Sequence, residues 1–431
     1  MYRNKIEELK SWKDSPTRKP LIIRGARQVG KTWLMKEFGS KYYEKCAYIN
    51  FDDNSRMNKL FDEDFDLDRI IQGLKIESGV NIEPENTLII LDEIQETPKA
   101  LKALKYFCEN ARQYHIVSAG SLLGVAIHEG TSFPVGKVDF MDLMPLSFFE
   151  FLDALGEKEL LNLLKENDFQ MIEVFNTKFK EYLKLYYYVG GMPEAVNAYA
   201  TNKDLKEVRK IQNELLAAYE QDFSKHAPSN IVPRIRQLWN NIPTQLAREN
   251  KKFIYGLIKE GARAREYEGA VNWLNDANII YKIYNVNKPN LPLKAYEDLS
   301  AFKIYLNDVG LLRKMAELDS NVVIEGNKIF TEFKGALTEN YILQMLLTAG
   351  LKTNYFSFDN KYEIDYILQN KNEIIPIEVK ANEVTHNTSL NVYNTNYEPK
   401  TRVRFSMKNL QKDGNLINIP LFMAEYLEKF I

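Results

Sequence analysis

Eight consecutive residues, Gly25, Ala26, Arg27, Gln28, Val29, Gly30, Lys31 and Thr32, carry the spacing GxxxxGK[ST]. Glycine at both ends lets the backbone turn sharply and come close to a ligand, so that successive N–H groups converge on phosphate oxygens. Lys31 then supplies a point charge to the β and γ phosphates, and the Thr32 hydroxyl stands where a Mg²⁺ ligand is needed. This chemistry requires a strand entering the loop and a helix leaving it, because the helix N-terminus adds its own partial positive charge. The flanking stretches LIIR and WLMKEFG meet that requirement. Arg27 is read either as reaching phosphate or a neighbouring subunit, or as a solvated side chain.

Hydrolysis also needs carboxylates beside the metal. The apolar run LIIL ends in Asp92 and Glu93. Asp92 is expected to hold Mg²⁺, commonly through water, and Glu93 to polarise the water that attacks the γ-phosphate. The next apolar run, YHIVSAGS, carries Ser118 and Ser121 at its end. Either serine is expected to sense the γ-phosphate or to serve as a turn or capping residue.

A second acidic group lies towards the C-terminus. In EIDYIL, strand alternation puts Glu363, Asp365 and Ile367 on one face, and in IPIEVKA it puts Glu378 and Lys380 on one face. Two such strands side by side bring Asp365, Glu378 and Lys380 together, and Glu339 on the preceding helix is placed to complete the group. Mg²⁺ or Mn²⁺ held by these oxygens would lower the pKa of bound water and offset charge on a phosphodiester. Lys380 would orient the nucleophile or stabilise the charge that develops. The plainer reading is a Glu–Lys pair on the polar face of a strand.

These residues need elements to hold them. The 431 residues predict roughly two to four domains at the usual domain size. With 45% hydrophobic and 12% aromatic residues the chain is globular, and a disordered or collagen-like chain is excluded; apolar runs alternating with helical segments over residues 20–150 make it α/β. Two cysteines and four histidines exclude a disulfide framework or a structural zinc site. A reducing cytoplasm is the simplest compartment, and no apolar run reaches membrane-spanning length. Formal charge is −2, unevenly spread: residues 51–110 hold 14 acidic and 7 basic side chains, and residues 231–315 hold 14 basic and 8 acidic. The basic stretch suits a polyanion-facing surface or simply a solvated face.

The runs LIIR, AYINF, TLIILDE and YHIVSAGS read as buried strands of a parallel sheet. Residues 156–247 have helical spacing. Residues 248–320 read as a small helix-plus-hairpin domain, with IIYKIYNV and FKIYLND as its strands. Residues 321–431 read as a separate α/β domain in which one helix precedes strands YFSF, EIDYIL and IIPIEVKA.

The landmarks RGARQVGKT, LIILDEIQ, SAGS, PLSFFEF, GGMPEAV and the tail GALTENYI, EIDYIL, PIEVKA together resemble a prokaryotic family of AAA-superfamily ATPases with a C-terminal domain of uncharacterised function. The resemblance implies ATP as the nucleotide, an ATPase core over 1–155, a helical lid over 156–247 and a winged-helix-like segment over 248–320. In that segment Lys259, Arg263 and Arg265 would meet phosphate, or the module would serve interdomain packing. The Asp365 and Glu378-x-Lys380 pattern is similar to the core of restriction-endonuclease-like nucleases, with Glu339 matching their helix acid, which implies such a fold over 321–431. The expected function is ATP hydrolysis whose nucleotide state governs a domain that binds or cleaves DNA. The competing expectation is a nucleotide-dependent signalling or scaffold protein with an inactive C-terminal recognition domain. Self-association is expected by analogy alone.

Overall fold

The computed structural model describes residues 1–120, 134–248, 251–319, 331–359, 361–383 and 388–431; Ser121 lies outside them. Two compact units divide the chain: Tyr2–Leu143 with Asp276–Asn278, and Met144–Asn275 with Ile279–Ile431.

The first unit is built on β1 (Leu21–Arg24), β2 (Lys45–Asn50), β3 (Thr87–Asp92), β4 (His115–Ala119) and β5 (Asp139–Asp142), in the spatial order β2-β3-β4-β1-β5. Every pairing is parallel. The four continuous apolar runs are strands because both their faces are covered, and β3 and β4 are buried at every position. Ala47, Ile49, Ile89 and Leu91 pack in one core cluster with residues of the helices Ser55–Glu63, Leu67–Ser78 and Pro98–Asn110. Cys46 and Leu88 face the helix Lys31–Tyr42, where Gly39 leaves no room for a side chain: a Cβ there would stand 2.7 Å from the Cys46 Sγ. β5 was not expected from the sequence. It is an edge strand whose only buried residue is Met141, so it has neither an apolar run nor a clear alternation.

The second unit takes in the stretches 156–247, 248–320 and 321–431 together, apart from Asp276–Asn278. β6 (Ile280–Val286), β7 (Glu297–Leu306), β8 (Asn354–Phe358), β9 (Tyr362–Asn370), β10 (Glu373–Val379), β11 (Arg402–Ser406), β12 (Gln411–Asp413) and β13 (Leu416–Pro420) form one eight-stranded mixed sheet, ordered β12-β13-β11-β10-β9-β8-β6-β7. The hairpin β6–β7 is therefore not a free wing, because β6 is paired on its other side by β8. That seam has one backbone partner pair, Asn285 with Tyr355. Side chains reinforce it: the Asn354 amide donates to the Tyr284 carbonyl at 3.3 Å, and the Ser357 N–H donates to Asn285 Oδ1 at 3.0 Å.

The first unit also ends earlier than residue 155, at Leu143, for a reason visible in the two unexplained sequence segments PLSFFEF and GGMPEAV. The Leu146 N–H donates to the Gly191 carbonyl at 2.7 Å, and the Gly191 N–H donates to Asp308 Oδ2 at 2.6 Å. Asp308 also caps the helix Val309–Met315 through the Leu311 N–H at 2.9 Å. A Cβ on Gly190, whose φ is 76°, would lie 2.1 Å from Asp308 Oδ1, and one on Gly191 would lie 2.1 Å from the Leu146 carbonyl. Ser147 and Glu150 form a reciprocal capping box on the helix Phe148–Ala154, and Glu425 accepts the Phe149 N–H at 2.8 Å. The two segments thus interlock with residues 307–310 and with the C-terminal Glu425. Because the obstacle is backbone, Gly191→Ala is expected to cost about 3 kcal/mol, the upper part of the overpacking range, and to lower the thermal midpoint by roughly 5–10 °C in a melting experiment.

Candidate functional site

β1 delivers the chain into the glycine loop and the helix Lys31–Tyr42 leaves it, with Gly30 as the N-cap at φ 93° and ψ 25°. Gly25 is required by space, because a Cβ would stand 2.3 Å from the Leu143 carbonyl oxygen. Ala26 and Val29 are buried, whereas Arg27 and Gln28 are exposed, Gln28 with a positive φ of 65°. Behind the loop the Arg3 guanidinium donates to the Val29 carbonyl at 3.0 Å, a brace that the sequence did not announce.

Lys31 is buried, and its ammonium donates to the carbonyls of Gly25 at 2.9 Å and Ala26 at 2.8 Å. Burial lowers its pKa to about 8, against the opposing pull of Glu93 and Asp92. The cation is held inside the loop by weak carbonyl ligands that an incoming phosphate can outbid. Thr32 Oγ1 donates to Asp92 Oδ2 at 2.7 Å. β4 lies between β1 and β3, and the register sets Asp92 and Ile23 each opposite Ala119, so the loop and the acidic strand end meet at one edge of the sheet.

Asp92 is buried and its carboxylate has three donors: Thr32, the Tyr48 hydroxyl at 3.0 Å on the same Oδ2, and the Glu93 N–H at 3.2 Å on Oδ1. Burial raises its pKa, and the hydrogen bond from Thr32 opposes the rise. Glu93 has left-handed backbone, φ 51° and ψ 41°, where the strand breaks into a short 3-10 turn. Its carboxylate accepts the Gln95 amide at 2.7 Å, so Gln95 fixes its direction. Ser118 is buried and its hydroxyl donates to the Leu21 carbonyl at 3.1 Å. A hydroxyl and a carboxylate in contact, beside a buried ammonium and a tight loop, form a donor set that suits a hard cation with a phosphate chain. Thr32 and Asp92 are the residues that would hold the cation.

In the second unit the expected C-terminal residues do come together, but in different company. The Glu339 carboxylate, on the helix Thr331–Thr348, accepts from Lys251 at 2.5 Å and from the Tyr305 hydroxyl at 3.2 Å. Lys303, fully buried on β7, pairs with Glu363 on β9 at 2.5 Å. Lys380 pairs with Glu378, and Asp365 Oδ2 accepts the Val379 N–H at 2.7 Å. Four carboxylates thus stand among three lysines. Burial, and next the charges of Glu339 and Glu378, hold Asp365 well above the usual carboxylate range. For Lys303 burial works downward, but the charges of Glu363, Glu339 and Asp365 prevail and raise it.

Among the described residues no group of three or more His, Cys, Asp or Glu side chains is arranged to hold a metal ion. Of the expected set Glu339, Asp365 and Glu378, Glu339 is bonded to Lys251 and Tyr305, and Glu378 is paired with Lys380. One feature still suits a cation: Glu378 is 5% exposed, and its Oε2 has no hydrogen-bond partner. Lys251 and Lys303 were not singled out in the sequence, although a lysine within the apolar run AFKIYL is a signal of a buried, partnered charge. Lys259, Arg263 and Arg265 are exposed, and Lys137 pairs with Glu109 at 2.8 Å.

Residues 17–152 match a family model described as an AAA domain. This segment is similar to AAA domains. Residues 180–322 match a domain of unknown function (DUF8612), and residues 334–422 match another (DUF4143). Among solved structures the chain is similar to the Walker-type ATPase PABY2304 of Pyrococcus abyssi, at 14% identity and a TM-score of 0.45, over 73% of this chain and 95% of that one. It is also similar to the ORC1 protein of Aeropyrum pernix in complex with DNA, at 12% identity and a TM-score of 0.32, over 74% of this chain and 93% of that one. The Cdc6p of Pyrobaculum aerophilum is similar at 13% identity and a TM-score of 0.26, over 73% of this chain and 93% of that one. No curated protein matches the chain. The match to the AAA domain model implies ATP as the nucleotide and Mg²⁺ as its usual companion, and Lys31, Thr32, Asp92 and Glu93 all fall inside the matched residues. Among the described residues no helix is long and apolar enough to cross a membrane.

Proposed function

We propose that the protein hydrolyses ATP at the loop and strand end of its AAA domain, and that nucleotide state sets the behaviour of a C-terminal unit acting as a recognition module. The observation that carries the first half is the contact of Thr32 with Asp92 at 2.7 Å, with Lys31 one residue before and Glu93 one residue after. Lys31 would exchange its two carbonyl ligands for phosphate oxygens, and the loop N–H groups would orient the phosphate chain. Mg²⁺ supplies charge neutralisation on the phosphate oxygens when bound. Glu93, steered by Gln95, takes a proton from the attacking water as the new bond to the γ-phosphorus forms and the bond to the ADP oxygen breaks. Glu93→Gln is expected to keep ATP binding while slowing turnover by about 10²–10⁴-fold, as measured by steady-state phosphate release beside equilibrium binding.

Lys251, Lys303 and Lys380 support the recognition reading, because they offset most of the negative charge that a metal would otherwise balance. One observation favours a second reading, a DNA-cleaving site: the buried, unpartnered Glu378 Oε2 beside Lys380. In it Asp365 and Glu378 would hold Mg²⁺ or Mn²⁺, and Lys380 would steady the charge on the phosphodiester. Plasmid and linear DNA incubated with either ion, with and without ATP, separates the two. Cleavage by the wild type that disappears in Glu378→Ala would replace recognition with catalysis. Uncut DNA under every condition, beside intact ATP turnover, is the result expected of a recognition module.

A further inference from the structure

The Tyr48 side chain touches the AAA site without belonging to either of its motifs. It stands on β2, opposite Ile90 of β3 in register, so its side chain shares a face with Asp92 two residues further along. On that face its hydroxyl reaches Asp92 Oδ2 at 3.0 Å, the oxygen that also receives Thr32. The ring is clamped from the other direction by the Lys36 ammonium, 3.6 Å from the ring centroid. Lys36 follows Thr32 by four residues in the helix Lys31–Tyr42, so one face of one helix carries both the hydroxyl that touches Asp92 and the cation that holds Tyr48. On its outer side Tyr48 lines a polar cavity of about 440 Å³ with Asn50, Asp52, Asn54, Arg56 and Glu77.

A buried carboxylate that must accept a cation keeps its direction only while its oxygens are held by fixed donors. Thr32 cannot do this alone, because its oxygen is itself needed by the cation. The Glu93 N–H holds Oδ1, and on Oδ2 it is Tyr48 that supplies a donor with no need to change partner when the cation enters.

We propose that Tyr48 is a positioning residue for the AAA site, holding the Asp92 carboxylate through Oδ2 so that it is preset for the Mg²⁺ that accompanies the nucleotide. The inference rests on the ATP reading above. It makes Tyr48 specific to the metal-bound complex: the phosphate chain is held by Lys31 and the loop, which Tyr48 does not touch, whereas the metal's contribution passes through Asp92.

The test is binding of a non-hydrolysable ATP analogue by calorimetry, in EDTA and across a Mg²⁺ titration, for the wild type, Tyr48→Phe and Asp92→Asn. Tyr48→Phe keeps the ring over which Lys36 lies and removes only the hydroxyl. Its affinity in EDTA is expected to stay within about twofold of the wild type, while the gain in affinity produced by Mg²⁺ falls about tenfold, one charge-assisted hydrogen bond. Asp92→Asn marks the larger loss when the carboxylate itself goes. A Mg²⁺ gain in Tyr48→Phe equal to that of the wild type overturns the proposal. So does an equal loss in EDTA and in Mg²⁺ accompanied by a lowered melting midpoint, which is the pattern of a residue that only packs. A wild type that binds no nucleotide in either condition removes the ATP reading itself, and the role of Tyr48 with it, a result distinct from the other two.

Discussion

Lys31→Ala is expected to lower kcat/KM for ATP by about 10²–10³-fold, the loss seen when one preorganised donor to developing charge is removed. The direction follows from where the ammonium already is. It lies buried within the loop, bonded to the Gly25 and Ala26 carbonyls, so its desolvation has been met by the fold before any ligand arrives. Alanine leaves two buried carbonyls without a donor and the phosphates without their point charge. Lys31→Arg is not expected to restore the function, since the planar fork is larger than the compact ammonium that bonds the two carbonyls. Phosphate release assayed beside nucleotide binding checks both variants. Turnover of Lys31→Ala within tenfold of the wild type would place the hydrolytic centre elsewhere.

The second large effect is on stability. Lys303→Met is expected to destabilise the second unit by about 3–5 kcal/mol, because it strands Glu363, and with it Asp365 and Glu339, without the cation that faces all three. The melting midpoint should fall by roughly 10 °C. Methionine keeps most of the volume, so the loss reads charge rather than packing. Lys303→Met with Glu363→Gln should recover a large part of it, and the difference between single and double variants in a thermodynamic cycle isolates the pair. A single variant as stable as the wild type would mean that the carboxylates take up protons without cost, and that Lys303 is dispensable to the fold.

What the sequence made visible was what repeats or runs. β3 and β4 are buried at every position, so LIIL is an unbroken apolar run and HIVSA is broken only by the buried His115 and Ser118, and both point to strands directly. The glycine loop is one contiguous octet, and it lies between β1 and the helix Lys31–Tyr42. β5 hides because an edge strand with Asp139, Phe140 and Asp142 turned partly to water has no period to read. The partners are harder still. The Tyr48 hydroxyl meets Asp92, the Lys251 ammonium meets Glu339, and Gly191 meets Asp308, contacts made between distant stretches of chain with no motif to join them. PLSFFEF and GGMPEAV could be recognised as distinctive, yet their role is to fit one another and Asp308, which only the folded chain brings into contact. The same limit governs the C-terminal group. Asp365, Glu378 and Lys380 were legible from strand alternation, whereas the lysines that neutralise their neighbours come from β7 and from the segment after the helix Val232–Leu246.

The single backbone pair between β6 and β8 joins two stretches of sequence, 180–322 and 334–422, that match separate domain families. A cut between them would leave each fragment with a bare strand edge, and would part Lys251 and Lys303 from Glu339 and Glu363. Neither fragment would then be a module in the practical sense. Each is half of a seam, suited to split-protein complementation and poorly suited to shuffling.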